Sequence, residues 1–113
     1  MIHVDIRRDE QKKIEEVHCM ADDLIGDSDD DKYVEIGIST LLRTAVIGLE
    51  SYLKLDPDVE DEENLLVLRL KRDPLLNREI DAILETMIMG LNAIRQRYPE
   101  SVKITDALDK VNV

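Results

Sequence analysis

Residues 32–55 read KYVEIGISTLLRTAVIGLESYLKL, and the spacing of their aliphatic side chains sets the expected fold. Val34, Ile38, Leu41, Leu42, Ala45, Val46, Leu49, Tyr52 and Leu53 recur every three or four residues, the pattern of a helix with one broad apolar stripe. Ile36 and Ile47 widen the stripe until the helix is apolar almost all round, which places it at the centre of the molecule. Gly37 and Gly48 each cost about 1 kcal/mol against alanine inside a helix. They therefore mark close helix packing, or Gly37 marks the true helix start with Ser39 as N-cap.

Working outward, Asp73-Pro74 is an N-cap followed by proline at the first helical position. The segment it opens carries Leu76, Ile80, Ile83, Leu84, Met87, Leu91, Ile94 and Tyr98 at helical spacing before Pro99 stops it. Asp56-Pro57 repeats the signature, and the acidic run from Asp58 to Glu63 suits a helix N-terminus. Leu65 to Leu70 fits helix or short strand, and the leucines and flanking charges favour helix. Between Asp9 and Ile25, the residues Ile14, Val17, Met20 or Ala21, Leu24 and Ile25 predict another amphipathic helix, ended by Gly26. A last short helix is expected around Thr105 to Val111. Only Ile2 to Arg7 alternates with period two, as a short strand or an extended arm would.

The expected architecture is all-α: one domain over residues 1–113, a bundle of four to five helices with room for a short N-terminal strand. Two long apolar helices offer more oily surface than one copy of so short a chain covers. A homodimer, intertwined or side by side, is expected to share Val34, Ile38, Leu42, Ala45, Leu49 and Leu53.

Composition narrows the function classes. The 113 residues are 43% hydrophobic and 36% charged, with no Phe or Trp, so the core is aliphatic. A net charge of -11 repels phosphate backbones and anionic membranes, which disfavours nucleic acid as a partner. Cys19 is the single cysteine, and no charged-then-apolar leader opens the chain, so a cytoplasmic protein is expected. No apolar run approaches the roughly 20 residues of a membrane span.

No chemical motif is complete. Asp27-x-Asp29-x-Asp31 begins like a calcium loop, but Lys32 stands where glycine is needed and Ile38 where glutamate is needed. Glu15-x-x-His18 would share a helical face, yet two histidines and scattered carboxylates make no metal set. Cys19 and His18 are sequence neighbours and diverge by about 100° around a helix, so they cannot pair, and Cys19 reads as a packing residue.

Two partial resemblances remain. Ile2 to Arg7, with the run Gly37-Ile38-Ser39-Thr40-Leu41-Leu42-Arg43-Thr44-Ala45-Val46, resembles the ribbon and second helix of ribbon-helix-helix DNA-binding proteins. The resemblance implies a paired ribbon with His3, Asp5 and Arg7 facing the major groove, and Arg8, Lys12 and Lys13 reaching phosphates. Glu60-x-x-Glu63 is similar to half of the magnesium motif of MazG-like nucleotide pyrophosphohydrolases, and the other half is missing at Glu79 and Ala82. The favoured reading is a helical homodimer that acts through an unknown protein partner, with no enzymatic chemistry and no cofactor or metal. The DNA-binding regulator and the pyrophosphohydrolase are its alternatives.

Overall fold

Strand β1 (Ile2–Arg8) pairs antiparallel with β2 (Ile14–Ala21), so the stretch read as a first helix is the second arm of a hairpin. The structure, a computed structural model, describes residues 1–21 and 28–110, without the side chains of 109 and 110; the expected helix end at Gly26 and the residue Val111 lie outside them. The turn between the strands is held by Asp9, whose backbone carbonyl accepts from the Lys12 amide and whose carboxylate accepts from the amides of Gln11 and Lys13. Lys12 takes a left-handed φ of 66°, as three-residue hairpin loops require.

The spacing that suggested a helix has a specific cause. The register slips between Arg7 and Arg8, so Arg7 faces Glu16 while Arg8 faces Ile14, and Glu15 is the extra residue of a bulge. Ile14 and Val17 consequently stand three apart yet both point into the core. Beyond the bulge the strand alternates normally, but its inward residues are the small Cys19 and Ala21, which give a weak period-two signal.

Helix α1 (Asp29–Ile47) follows, capped by Ser28, whose hydroxyl accepts from the Asp31 amide, and extended by one π-helical turn at Gly48–Tyr52. This element stands close to the helix expected there. Strands β3 (Asp58–Glu62) and β4 (Leu65–Arg69) replace the expected helix after Pro57. Their two-residue loop turns at Asn64 with φ of 65°, which asparagine tolerates better than most residues. The unbroken run Leu65 to Leu68 reflects burial on both faces of an interior strand, not a helical stripe. After a 3-10 turn at Pro74–Leu76, in which the Asp73 carboxylate accepts from the Leu75 amide, helix α2 (Asn77–Arg97) runs to Tyr98. Strand β5 (Val102–Asp106) and a 3-10 turn (Ala107–Lys110) stand where the last helix was expected.

The five strands form one mixed sheet in the order β3-β4-β2-β1-β5, with β1 and β5 parallel and the other pairs antiparallel. Both helices pack on one face, where Ile2, Val4, Ile6, Val17, Leu66, Leu68 and Val102 meet the buried stripes of α1 and α2 in a single cluster. The molecule is therefore α/β, and the all-α bundle is overturned. Its central helix lies on a sheet rather than among helices. Gly37 and Gly90 allow the two helices to touch: a Cβ at Gly37 would lie 3.1 Å from the Ile94 side chain, and one at Gly90 3.0 Å from Leu41.

Val34, Ile38, Leu42, Ala45 and Leu49, expected at a dimer interface, are buried in this chain's own core, and Leu53 packs partly buried against it. The ribbon reading fails on topology. β1 has β2 along one edge and β5 along the other, so no edge is open for a second chain's ribbon. His3, Asp5 and Arg7 do share a face, the sheet face opposite the helices. Arg8 faces inward instead, bound to Glu85 and Asp106. No helix among the described residues is long and apolar enough to cross a membrane.

Candidate functional site

Where α1 diverges from the β3-β4 side of the sheet, a pocket of about 100 Å³ opens. Its floor comes from the inward faces of β1, β2 and β4, at Ile2, Cys19, Ala21 and Leu66, with Leu42 of α1 beside them. Its rim comes from one side of α1, where Glu35, Ser39 and Arg43 follow one another at one-turn spacing, and from Asp61, Glu62 and Asn64 at the tip of the β3-β4 hairpin. Arg43 spans the mouth: both terminal nitrogens of its guanidinium donate to the Asp61 carboxylate, Nη2 to Oδ1 at 3.1 Å. That bidentate pair holds the Asp61 carboxyl below its ordinary value and ties the helix to the edge strand.

Cys19 is the one thiol in the chain, and it lines this pocket. Burial, and after it the negative charge of Glu35, pushes its pKa up to about 11. A thiol in that setting is neutral at ordinary pH, whereas a nucleophilic cysteine needs a nearby cation or imidazole to make thiolate. Neither histidine supplies one. Cys19 pairs with Val4 and Leu66 and points toward the helices; His18 pairs with Asp5 and Val67, and His3 with Met20, so both imidazoles point to the opposite face. His18 and Cys19 are thus directed apart by strand alternation rather than by the helical divergence expected from sequence. The chain has only these two histidines, so no thiol–imidazole pair is assembled within it.

The other candidates disperse. Glu15 is the bulged residue of β2, and His18 Nε2 is buried without a hydrogen-bond partner, its nearest charge being Glu16 Oε1 at 3.7 Å. Glu60 lies on strand β3 and points away from the helices, and Glu63 lies in the hairpin loop. They do not share a helix, as the pyrophosphohydrolase motif needs. Among the described residues no three histidines, cysteines or carboxylates come together as a metal set, and Asp27 of the acidic run lies outside them. The pocket residues escaped the sequence reading because they come from five elements and carry no local motif. The one available signal was Cys19, in a chain with no other cysteine.

Residues 1–103 match the family model described as the cysteine protease Prp. This chain belongs to the Prp cysteine protease family. Its fold agrees with that of solved Prp structures. A crystal structure of the essential ribosomal processing protease Prp from Staphylococcus aureus, in complex with a substrate peptide, superposes with a TM-score of 0.81 at 25% identity and covers 94% of this chain and 99% of that one. A second structure of the Staphylococcus aureus protease, with a covalently linked product peptide, gives 0.77 at 24% identity over the same shares. A protein from Streptococcus mutans shares the fold at 17% identity, with a TM-score of 0.81 over 94% of this chain and 96% of that one. No curated protein matches the sequence.

Membership of Prp overturns the expectation of a helical protein without chemistry, and with it the DNA-binding and pyrophosphohydrolase alternatives. The family is one of enzymes that act through a thiol. The charge of the chain disfavours nucleic acid, but no feature of the sequence points to peptides.

Proposed function

We propose that this chain recognises peptide segments in the pocket between α1 and the β3-β4 hairpin, the recognition half of the activity named for Prp. Membership of the family over residues 1–103 carries the reading. It is supported by the relative of 25% identity solved with a substrate peptide. The pocket also suits an extended chain: an apolar floor takes side chains, and β3 is an edge strand whose outer backbone groups have no neighbouring strand among the described residues.

The cutting half has one possible seat, because a cysteine protease step in this chain can use only Cys19. Burial and the charge of Glu35 push the pKa of that thiol up to about 11, which holds it in its neutral form, whereas recognition needs no ionised thiol.

The test uses the full chain and a library of fluorescent peptides at pH 7 and pH 10, with binding read by anisotropy and cleavage by mass spectrometry. Saturable binding is expected for the native chain and for Cys19→Ser alike. Cleavage that depends on Cys19 is expected to rise from pH 7 to pH 10. Absence of binding by every peptide would overturn the recognition reading; rapid cleavage at pH 7 that Cys19→Ser abolishes would overturn the assignment of the thiol's state.

A further inference from the structure

We infer that a bound peptide adds to the sheet as a further strand along the outer edge of β3, hydrogen-bonded to the backbone groups of Val59 and Asp61, with the side chain opposite Asp61 at the pocket mouth. This rests on the peptide-recognition reading and specifies how that site holds its ligand.

The phase of the ladder decides which groups are free. The Leu70 amide donates to the Glu15 carbonyl and the Asn64 carbonyl accepts from the Ala21 amide, so backbone groups at even positions along β4 face β2. Those of Leu65, Val67 and Arg69 therefore face β3, where their register partners are Glu62, Glu60 and Asp58. Val59 and Asp61 are left with amide and carbonyl turned outward, and among the described residues no strand meets them. Asp61 stands opposite Leu66, on the helix side of the sheet, and lines the pocket. Residues opposite each other on paired strands point to the same face, so a peptide residue opposite Asp61 turns its side chain toward the helices, beside Arg43. β5, the other edge of the sheet, contributes no residue to the pocket lining. A second copy of this chain is a poor occupant of the β3 edge. Four of its five residues are Asp58, Glu60, Asp61 and Glu62, and pairing β3 with itself sets like charges against each other. A peptide without acidic residues meets no such repulsion.

The experiment takes the tightest-binding peptide of the library and methylates its backbone amides one at a time, with affinity for the native chain read by anisotropy. In an added strand the amides of alternate residues face β3, so methylation is expected to weaken binding about tenfold at every second position of a short segment and to be tolerated between them. On the protein side, Val59→Pro removes an outward amide that β4 does not use, whereas Val59→Ala trims only the side chain. Val59→Pro is expected to bind the unmethylated peptide about tenfold more weakly than Val59→Ala does, at a similar urea midpoint. Binding that no methyl group weakens, or that every one weakens alike, would overturn this inference and leave recognition standing, and so would equal affinity of the two Val59 variants. If no peptide binds, recognition itself fails, and the inference fails with it.

Discussion

Arg8 is nearly enclosed, with 6% of its side chain exposed, and it makes four hydrogen bonds to two carboxylates. Its Nε and Nη2 donate to Asp106 at 2.8 and 3.0 Å, and Nη1 and Nη2 donate to Glu85 at 2.8 and 3.1 Å, so one side chain joins β1, α2 and the end of β5. Replacing Arg8 with Met leaves Asp106 buried without its cation, an arrangement that costs several times what an exposed ion pair contributes. Urea denaturation of Arg8→Met is expected to show a loss of about 2–4 kcal/mol at pH 7; a loss under about 0.5 kcal/mol would refute the role. Burial opposes ionisation of Asp106, but the hydrogen bonds from Arg8 and the Leu108 amide outweigh it and hold the carboxyl below its ordinary 3.8. The same balance holds at Asp81, where Lys13 and Arg72 outweigh burial. A carboxyl whose folded pKa is depressed stabilises the fold fully above its unfolded value, and that stability is lost as pH falls through the folded value. The native chain should therefore lose stability below about pH 4, and Arg8→Met, having less to lose at Asp106, should show a shallower acid limb. None of this was legible in the sequence. Arg8 and Lys13 looked like phosphate-reaching cations because their partners Asp106, Glu85 and Asp81 lie far along the chain.

At the scale of elements, two long helices were legible and four strands were not, for different reasons. The stripes of α1 and α2 span many turns, so a few irregular residues do not erase their period. In β2 one bulged residue converts a period of two into a spacing of three, and eight residues are too few to expose the phase change. In β4 the signal is absent in principle, since a strand buried on both faces has no alternation to show. β1, open to solvent on one face, alternates cleanly, and its residues were read as a short strand or an extended arm. The β1-β2 turn offers a direct check on the hairpin. Lys12 carries a left-handed φ of 66°, a conformation that costs a side-chain-bearing residue about 1 kcal/mol and glycine almost nothing. Lys12→Gly keeps the backbone carbonyl that accepts from Arg8 Nη1. After the unfolded-state entropy of glycine is subtracted, it should stabilise the protein by about 0.5 kcal/mol, seen as a higher urea midpoint at unchanged slope. Had 9–25 been a helix, glycine at position 12 would destabilise by about 1 kcal/mol, so the sign of the change separates the two folds.

For the whole molecule the decisive quantity is the imbalance of 26 acidic against 15 basic residues. The site was illegible from sequence at this scale too, because the pocket exists only where α1 meets the far side of the sheet and draws on residues from Ile2 to Leu66. The charge, however, was legible, and it has a physical consequence independent of ligand. Two effects of salt oppose each other. Screening weakens attractive pairs such as Arg7 with Asp5 and Arg69 with Glu60, but these are largely exposed and contribute little. Screening also relieves the mutual repulsion of the unpaired carboxylates, which the folded state concentrates in a small volume and the unfolded chain spreads out. The Arg8 cluster is enclosed and is screened much less. Repulsion should therefore dominate: raising sodium chloride from about 10 to 150 mM, which shortens the screening length from about 30 to 8 Å, should raise the urea midpoint at pH 7. The gain should disappear near pH 4.5, where the sequence's net charge is close to zero. A midpoint that falls with salt at pH 7 would mean that the surface ion pairs, rather than the excess of carboxylates, govern the electrostatics of this fold.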